Sequence, residues 1–242
     1  MHLLDNPIWT ALTTRQAHFA EGGNWARRFP PAVTALAGFP EMRIEAYDEL
    51  AGLANGAPAA LFLHHAPNLP EGWCQLREAP LLQMVCQDGA TPSARHPWNT
   101  LTEVDVPEMV ALAELTQPGP FGTQTYQMGT YLGIREQGSL AAMAGERLRV
   151  PGYAEISAVC THPDHVGKGY AASLMSVLIE KMRSQGETPF LHVRADNSRA
   201  IALYERLGFR KRIQFHLAVV QKKSGQEQST ESQHVAVAEN VS

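Results

Sequence analysis

The stretch His162-Pro163-Asp164-His165-Val166-Gly167-Lys168-Gly169-Tyr170-Ala171-Ala172-Ser173 places two glycines, one residue apart, between a strand-like run and a helix-forming run. Before it, Tyr153 to Thr161 (YAEISAVCT) alternates and carries branched residues, which predicts a strand. After it, Leu174, Val177, Leu178 and Met182 fall on one stripe and Gly186 ends the run, which predicts a helix. Glycine costs backbone entropy, so a pair at such a junction implies a sharp turn or a ligand that comes close. The first amides of a helix lack partners and carry partial positive charge, and this geometry suits a phosphate or pyrophosphate. The turn is not a P-loop, because no Gly-Lys-Ser/Thr follows at the required spacing. Nor is it a dinucleotide fingerprint, because Ala172 stands where the third glycine would be.

On the C-terminal side, PFLHVRAD reads as a strand, NSRAIALYERLGF as a helix from Asn197 to Gly208, and RKRIQFHLAVVQ as a final strand. On the N-terminal side, strands near GIRE and SLAAMAGERLRV join through Gln137-Gly138 as a hairpin. A short helix is expected from Gln124 to Leu132, after QPGPFG breaks the helix DVPEMVALAELT, whose N-cap is read as Asp105 with Glu108 three residues on. DGATPSARHPWNT reads as a linker. In the first hundred residues we expect a helix from Pro7 to Glu21, a short strand in GFPEMRIEAY and one or two helical turns in DELAGLAN. A strand in AALFLHH and two extended runs, WCQLREA and LLQMVCQ, follow. The chain thus divides into an N-terminal α/β half (1–98), a second unit (99–221) and a polar tail (222–242) expected to be disordered.

The totals narrow the function. With 44% apolar and 18% charged residues, the chain has the composition of an ordinary soluble globular protein. A net charge of −4, with no Lys/Arg cluster interleaved with aromatics, argues against nucleic acid and for a small molecule as the partner. No apolar run approaches the length of a membrane helix and no secretory signal is read at the N-terminus. Three widely spaced cysteines, Cys74, Cys86 and Cys160, suit a reducing compartment, so a cytoplasmic protein is expected. His162 and His165, with His64 and His65 upstream, lack the helical spacing of common zinc sites, and no metal is expected.

The run EISAVCTHPDHVGKGYAASL, followed by NSRAIALYERLGF, resembles the GNAT superfamily of acetyl-CoA-dependent N-acetyltransferases, and within it the glycine-N-acyltransferase-like proteins. The resemblance covers roughly residues 100 to 220. It implies an α/β (α+β) fold with a central mixed, mostly antiparallel sheet flanked by helices. It also implies acetyl-CoA as co-substrate and an amine as acceptor; a homodimer stays open. The family's pyrophosphate loop maps onto Val166, Gly167, Lys168, Gly169, Tyr170 and Ala171, and its second motif onto Asn197, Ala200, Tyr204, Gly208 and Phe209. Val166 departs from the Arg or Gln that usually opens the loop, which weakens side-chain support for the phosphates. Lys168 is placed to supply charge or to be a solvated loop lysine. By the same resemblance Val159, Cys160 and Thr161 lie along the cofactor, and Asn197 caps its helix and touches the coenzyme. The N-terminal half, with no such motifs, is read as a degenerate copy of the fold that shapes the acceptor site.

Acetyl transfer needs a deprotonated amine, a donor to the thioester carbonyl and a proton for the departing thiolate. The resemblance assigns the last role to Tyr204, whose competing reading is a core ring. For the base, the candidates are Glu155, His192 and water. Glu155 is a carboxylate amid apolar strand residues, where an unpaired charge is costly. His192 lies where some family members carry a catalytic Glu, and an imidazole titrates near neutrality. Cys160 as a covalent nucleophile is disfavoured against a small apolar filler. The acceptor cleft is expected near QPGPFG and the Gly138 hairpin, with Phe121 lining it or anchoring the loop. The alternatives carried forward are a catalytically silent acyl-CoA-binding sensor and a nucleotide-binding protein.

Overall fold

The computed structural model describes residues 2–87 and 94–223. Residues 88–93 of the expected linker and 224–242 of the expected tail lie outside the described residues. A three-stranded antiparallel sheet is formed by β1 (Glu21–Gly22), β2 (Arg27–Arg28) and β3 (Ala37–Gly38). The main sheet has eight strands: β4 (Ala59–Leu63), β5 (Trp73–Cys86), β6 (Asn99–Leu101), β7 (Tyr131–Glu136), β8 (Ser139–Val150), β9 (Tyr153–Thr161), β10 (Thr188–Arg194) and β11 (Phe209–Lys222). Their order is β4-β11-β5-β10-β9-β8-β7-β6, antiparallel throughout except for the parallel pair β9 and β10. Two strands from residues 1–98 therefore lie in this sheet, and β5 sits between β10 and β11.

Five α-helices flank the sheet: α1 (Pro7–Thr13), α2 (Ile44–Ala54), α3 (Val106–Thr116), α4 (Tyr170–Ser184) and α5 (Ser198–Arg206). On α4, Leu174, Met175, Leu178, Ile179 and Met182 are all fully buried and pack with Ile156, Leu191 and Phe209 on one face of the sheet. Burying side chains of this size contributes about 1.5–3 kcal/mol each. The other face carries α1, whose Ile8, Ala11 and Leu12 pack with Leu148 and Phe190. The buried carboxylate of Glu146 accepts from Lys181 of α4 at 2.8 Å and from Arg149 at 2.6 Å, which ties the helix to β8. No described helix is long and apolar enough to cross a membrane.

The strands and helices after residue 130 follow the sequence pattern, and the differences are local. The expected helix from Pro7 to Glu21 ends at Thr13, because Gln16 turns inward and its buried amide is held by Arg147 O and Arg149 N. In place of a helix from Gln124 to Leu132 there is one 3-10 turn, Thr125–Met128. Thr125 Oγ1 donates to Val33 O there, while Tyr131 and Leu132 already belong to β7. In GFPEMRIEAY only Ala37–Gly38 (the strand's Gly38 opens the run) is extended, and Ile44 starts α2. Asp105 precedes α3, yet its carboxylate accepts from Thr102 N and pairs with Arg135 instead of capping that helix. WCQLREA and LLQMVCQ merge into the single strand β5 despite Pro80. Pro80 O accepts from Ala195 N, just past the end of β10, so the missing N–H falls beyond that neighbour's ladder.

Candidate active site

At the glycine turn the chain passes from β9 through a 3-10 turn, Pro163–His165, to α4. Gly167 (φ 91°) and Gly169 (φ 85°) both adopt the left-handed conformation that side chains disfavour. Among the described residues beyond the adjoining ones, no atom lies within 4 Å of where a Cβ on Gly167 would stand, and only His96 Nε2, at 3.8 Å, approaches one on Gly169. Ser173 N donates to Gly169 O at 3.1 Å, so the amides between them belong to the open first turn of α4. Around the turn, Val166 is exposed, Lys168 Nζ donates to His165 Nδ1 at 2.9 Å, and the buried Tyr170 donates its hydroxyl to Glu136. Ser173 Oγ accepts from Arg95 N and His96 N, which pins that segment over the helix start. Replacing Gly169 by valine should weaken coenzyme binding at least about tenfold, through left-handed strain of roughly 1–2 kcal/mol and obstruction of the amides. Isothermal titration with coenzyme A measures it, and unchanged affinity would refute this placement of the loop.

Beside the turn the sheet forks. The strands β9 and β10 pair only at Tyr153–Thr188, Ala154–Pro189 and Glu155–Phe190, after which β10 pairs with β5 alone. A bulge supplies the cause: between the pairs Met143–Cys160 and Gly145–Ser157, β9 holds one extra residue, and Ala158 sits at φ 52°. Val159, Cys160 and Thr161 therefore lie beyond the fork, with the glycine turn immediately after them. Burial pushes the Cys160 thiol up to about 11, so it is protonated at neutral pH and a poor nucleophile. Tyr204 of α5 is buried, and burial together with the neighbouring Cys160 raises its hydroxyl to about 12, which keeps its proton in place. Asn197 caps α5, its Oδ1 accepting from Ala200 N at 3.1 Å.

At the apex of the fork stand the two candidate bases, joined in one hydrogen-bonded unit. Glu155 is fully buried. It accepts from Arg147 Nε (2.9 Å), Arg147 Nη2 (2.6 Å) and Leu148 N (3.2 Å), and lies 2.7 Å from His192 Nδ1. Burial by itself would raise its carboxyl, but the charge of Arg147 and the hydrogen bonds from Arg147 and His192 outweigh that and hold it at about 2. A carboxylate held so low is a weak base, and its place 2.7 Å from Nδ1 suits it to orient His192. Burial lowers the His192 pKa, partly opposed by Glu155, so the ring is neutral near pH 7. Gln83 Nε2 lies 3.1 Å from the other ring nitrogen, Nε2. Tyr131, also buried, points a hydroxyl with no described partner into the electrostatic reach of Arg147 and Glu155, and burial raises its pKa.

Arg147, Gln83 and Tyr131 escaped the sequence reading. A lone Gln in the apolar run LLQMVC was the available signal for Gln83, and an Arg eight residues from Glu155, across a hairpin, the one for Arg147. On the face that carries His192, a cavity of about 380 Å³ is walled by Ile8, Phe39, Met42 and Leu61, with Asp5 at its edge. Phe62 also lines it, and its ring lies 4.7 Å from that of His192. Phe121, by contrast, packs on Tyr131 as a loop anchor, with ring centroids 5.7 Å apart.

The chain is similar to known proteins of one kind. A family model described as FR47-like protein matches residues 131–217. The chain is 31% identical over 117 residues to the ribosomal protein bS18-alanine N-acetyltransferase of Escherichia coli strain K12, covering 46% of this chain and 78% of that protein. A solved acetyltransferase from the GNAT family of Novosphingobium aromaticivorans DSM 12444 is 41% identical with a TM-score of 0.83, over 93% of this chain and 100% of that one. A GCN5-related N-acetyltransferase from Kribbella flavida shares the fold, with a TM-score of 0.58 at 16% identity, over 88% of this chain and 95% of its own. These similarities do not single out the glycine-N-acyltransferase-like branch.

Proposed function

Because the chain belongs to the GNAT family of N-acetyltransferases, we propose that it moves the acetyl group of acetyl-CoA directly onto a primary amine at the end of a peptide or on a small molecule. The fork between β9 and β10, running into the glycine-capped start of α4, is the observation that carries this reading. The amides of Gly167, Gly169, Tyr170 and Ala171 receive the pyrophosphate, those of Val166 and Lys168 donating to Pro163 O and His165 O within the turn, and the pantetheine arm follows Val159, Cys160 and Thr161 along the fork, with Asn197 beside it. The amine nitrogen then bonds to the thioester carbon and the carbon–sulfur bond breaks. The Tyr204 hydroxyl gives its proton to the departing thiolate, and His192, oriented by Glu155, takes the proton that the amine loses. The reaction requires no metal and no acyl-enzyme, in keeping with a thiol on Cys160 that stays protonated.

The acceptor enters through the cavity lined by Phe62, whose ring packs on that of the buried His192. A peptide amine is favoured over a small free amine because the similar Escherichia coli enzyme is named for an alanine of a ribosomal protein. We place the reaction in the cytoplasm, because three widely spaced cysteines suit a reducing compartment.

A thermal-shift assay tests the reading. Acetyl-CoA at a hundred times its Kd should add about 2.7 kcal/mol of apparent stability. For a chain of this size that is a rise in Tm of roughly 5–11 °C. ATP and NAD should give none. Release of thiol with peptides bearing a free N-terminus, and not with N-acetylated ones, should follow. Binding without turnover on any amine would favour the silent acyl-CoA sensor, the reading that the exposed Val166 in the phosphate loop keeps in view.

A further inference from the structure

The polar groups around His192 determine which of its two nitrogens bears the proton. Arg212 has only donors, and its Nη1 donates to Gln83 Oε1 at 2.8 Å. Leu4 O can only accept, and it takes a hydrogen bond from Gln83 Nε2 at 3.0 Å. The Gln83 amide is thus locked at both ends, with Oε1 toward Arg212 and Nε2 toward Leu4. The same Nε2 faces His192 Nε2 at 3.1 Å, and an amide nitrogen only donates. His192 Nε2 is therefore the acceptor, and the ring proton sits on Nδ1, where it meets the Glu155 carboxylate at 2.7 Å. Gln83 is fully buried, and Arg212 is itself anchored by Asp5.

We infer that Gln83 is a positioning residue: it sets the tautomer of His192 and holds the ring neutral by competing for the lone pair that must receive the amine proton. This rests on the reading of His192 as the proton acceptor. Protonating Nε2 would set an N–H against the N–H of Gln83, and the amide cannot flip without breaking its bonds to both Arg212 and Leu4. The remaining charged groups that reach His192 are Glu155 and Arg147, and the rest of its surroundings are the rings of Phe62, Phe190 and Phe215. Three of the residues that write this proton's position, Leu4, Asp5 and Gln83, come from the first hundred residues.

Nitrogen-15 NMR of the imidazole in the whole protein reads the tautomer and the midpoint of His192 directly, and the pH profile of kcat/KM reads its use. In the wild type the ring should be the Nδ1–H tautomer. In Gln83→Leu the midpoint should move up and the tautomer should lose its fixed preference. In Gln83→Glu, whose carboxylate accepts, the midpoint should rise further. Arg212→Met, at a side chain 24% exposed, removes one of the amide's two locks and should also raise the midpoint, which serves if the Gln83 variants do not fold. The acid limb of kcat/KM should follow each shift. A wild-type Nε2–H tautomer, or a midpoint that none of the folded variants moves, overturns the inference. A midpoint that moves while the acid limb stays still upholds the role of Gln83 and removes His192 from the base position.

Discussion

Replacing Glu155 by leucine is expected to destabilise the protein by about 3–5 kcal/mol, because it leaves the buried Arg147 guanidinium without its counter-charge. For a domain of this size the loss corresponds to a fall in Tm of roughly 6–20 °C. Desolvation of an ion already costs several kcal/mol, and the close bidentate pair is what offsets it here. The double variant Arg147→Met with Glu155→Leu, which removes both charges, should recover most of the loss. A single variant as stable as the wild type would mean that the pair is unimportant to the fold. The same pair gives a pH signature. The folded carboxyl, held at about 2, lies below its ordinary value of 4.5. Its contribution is therefore complete above about 4.5 and is lost as the pH falls toward 2. Acid titration of Tm should show this loss in the wild type and not in the double variant.

Tyr204→Phe is expected to lower kcat by about 10²–10⁴-fold while leaving the Kd of acetyl-CoA near its original value. The ring is packed with Phe209 and the α4 core, and phenylalanine keeps that packing, so stability should change little. What is removed is a hydroxyl that holds its proton at neutral pH and lies in the electrostatic reach of Cys160 at the fork. A thiolate leaving without a proton is the poorer leaving group, and the loss belongs to the chemical step. If kcat is retained, solvent protonates the thiolate and Tyr204 is a core residue. If affinity falls in step with kcat, its role is in binding.

Much of this arrangement was legible in the sequence because its signals are local. The glycine pair, the stripe on α4 and the Asn197 cap each lie within one element, where periodicity and backbone preference act directly. The bulge at Ala158 was not legible, since an alanine in a strand carries no mark of a positive φ. The partners of Glu155 were hidden for a different reason. Its suspicious burial was visible, but Arg147 and His192 reach it across strand pairs whose register depends on that bulge and on β5. Gln83 lies over a hundred residues from His192 in the chain, a separation no motif spans.

The place of β5 has consequences for how the molecule comes into being. The strand is synthesised early, yet its two neighbours, β10 and β11, are among the last strands to be made. Until they arrive, β5 has neither of its final partners, and a growing chain must keep this apolar edge from aggregating. The ladder between β5 and β11 closes contacts of high sequence separation, which slows folding. Gln83 meets His192, the proposed base, only when β5 pairs with β10, so a chain that ends before β10 carries the glycine turn without that pair.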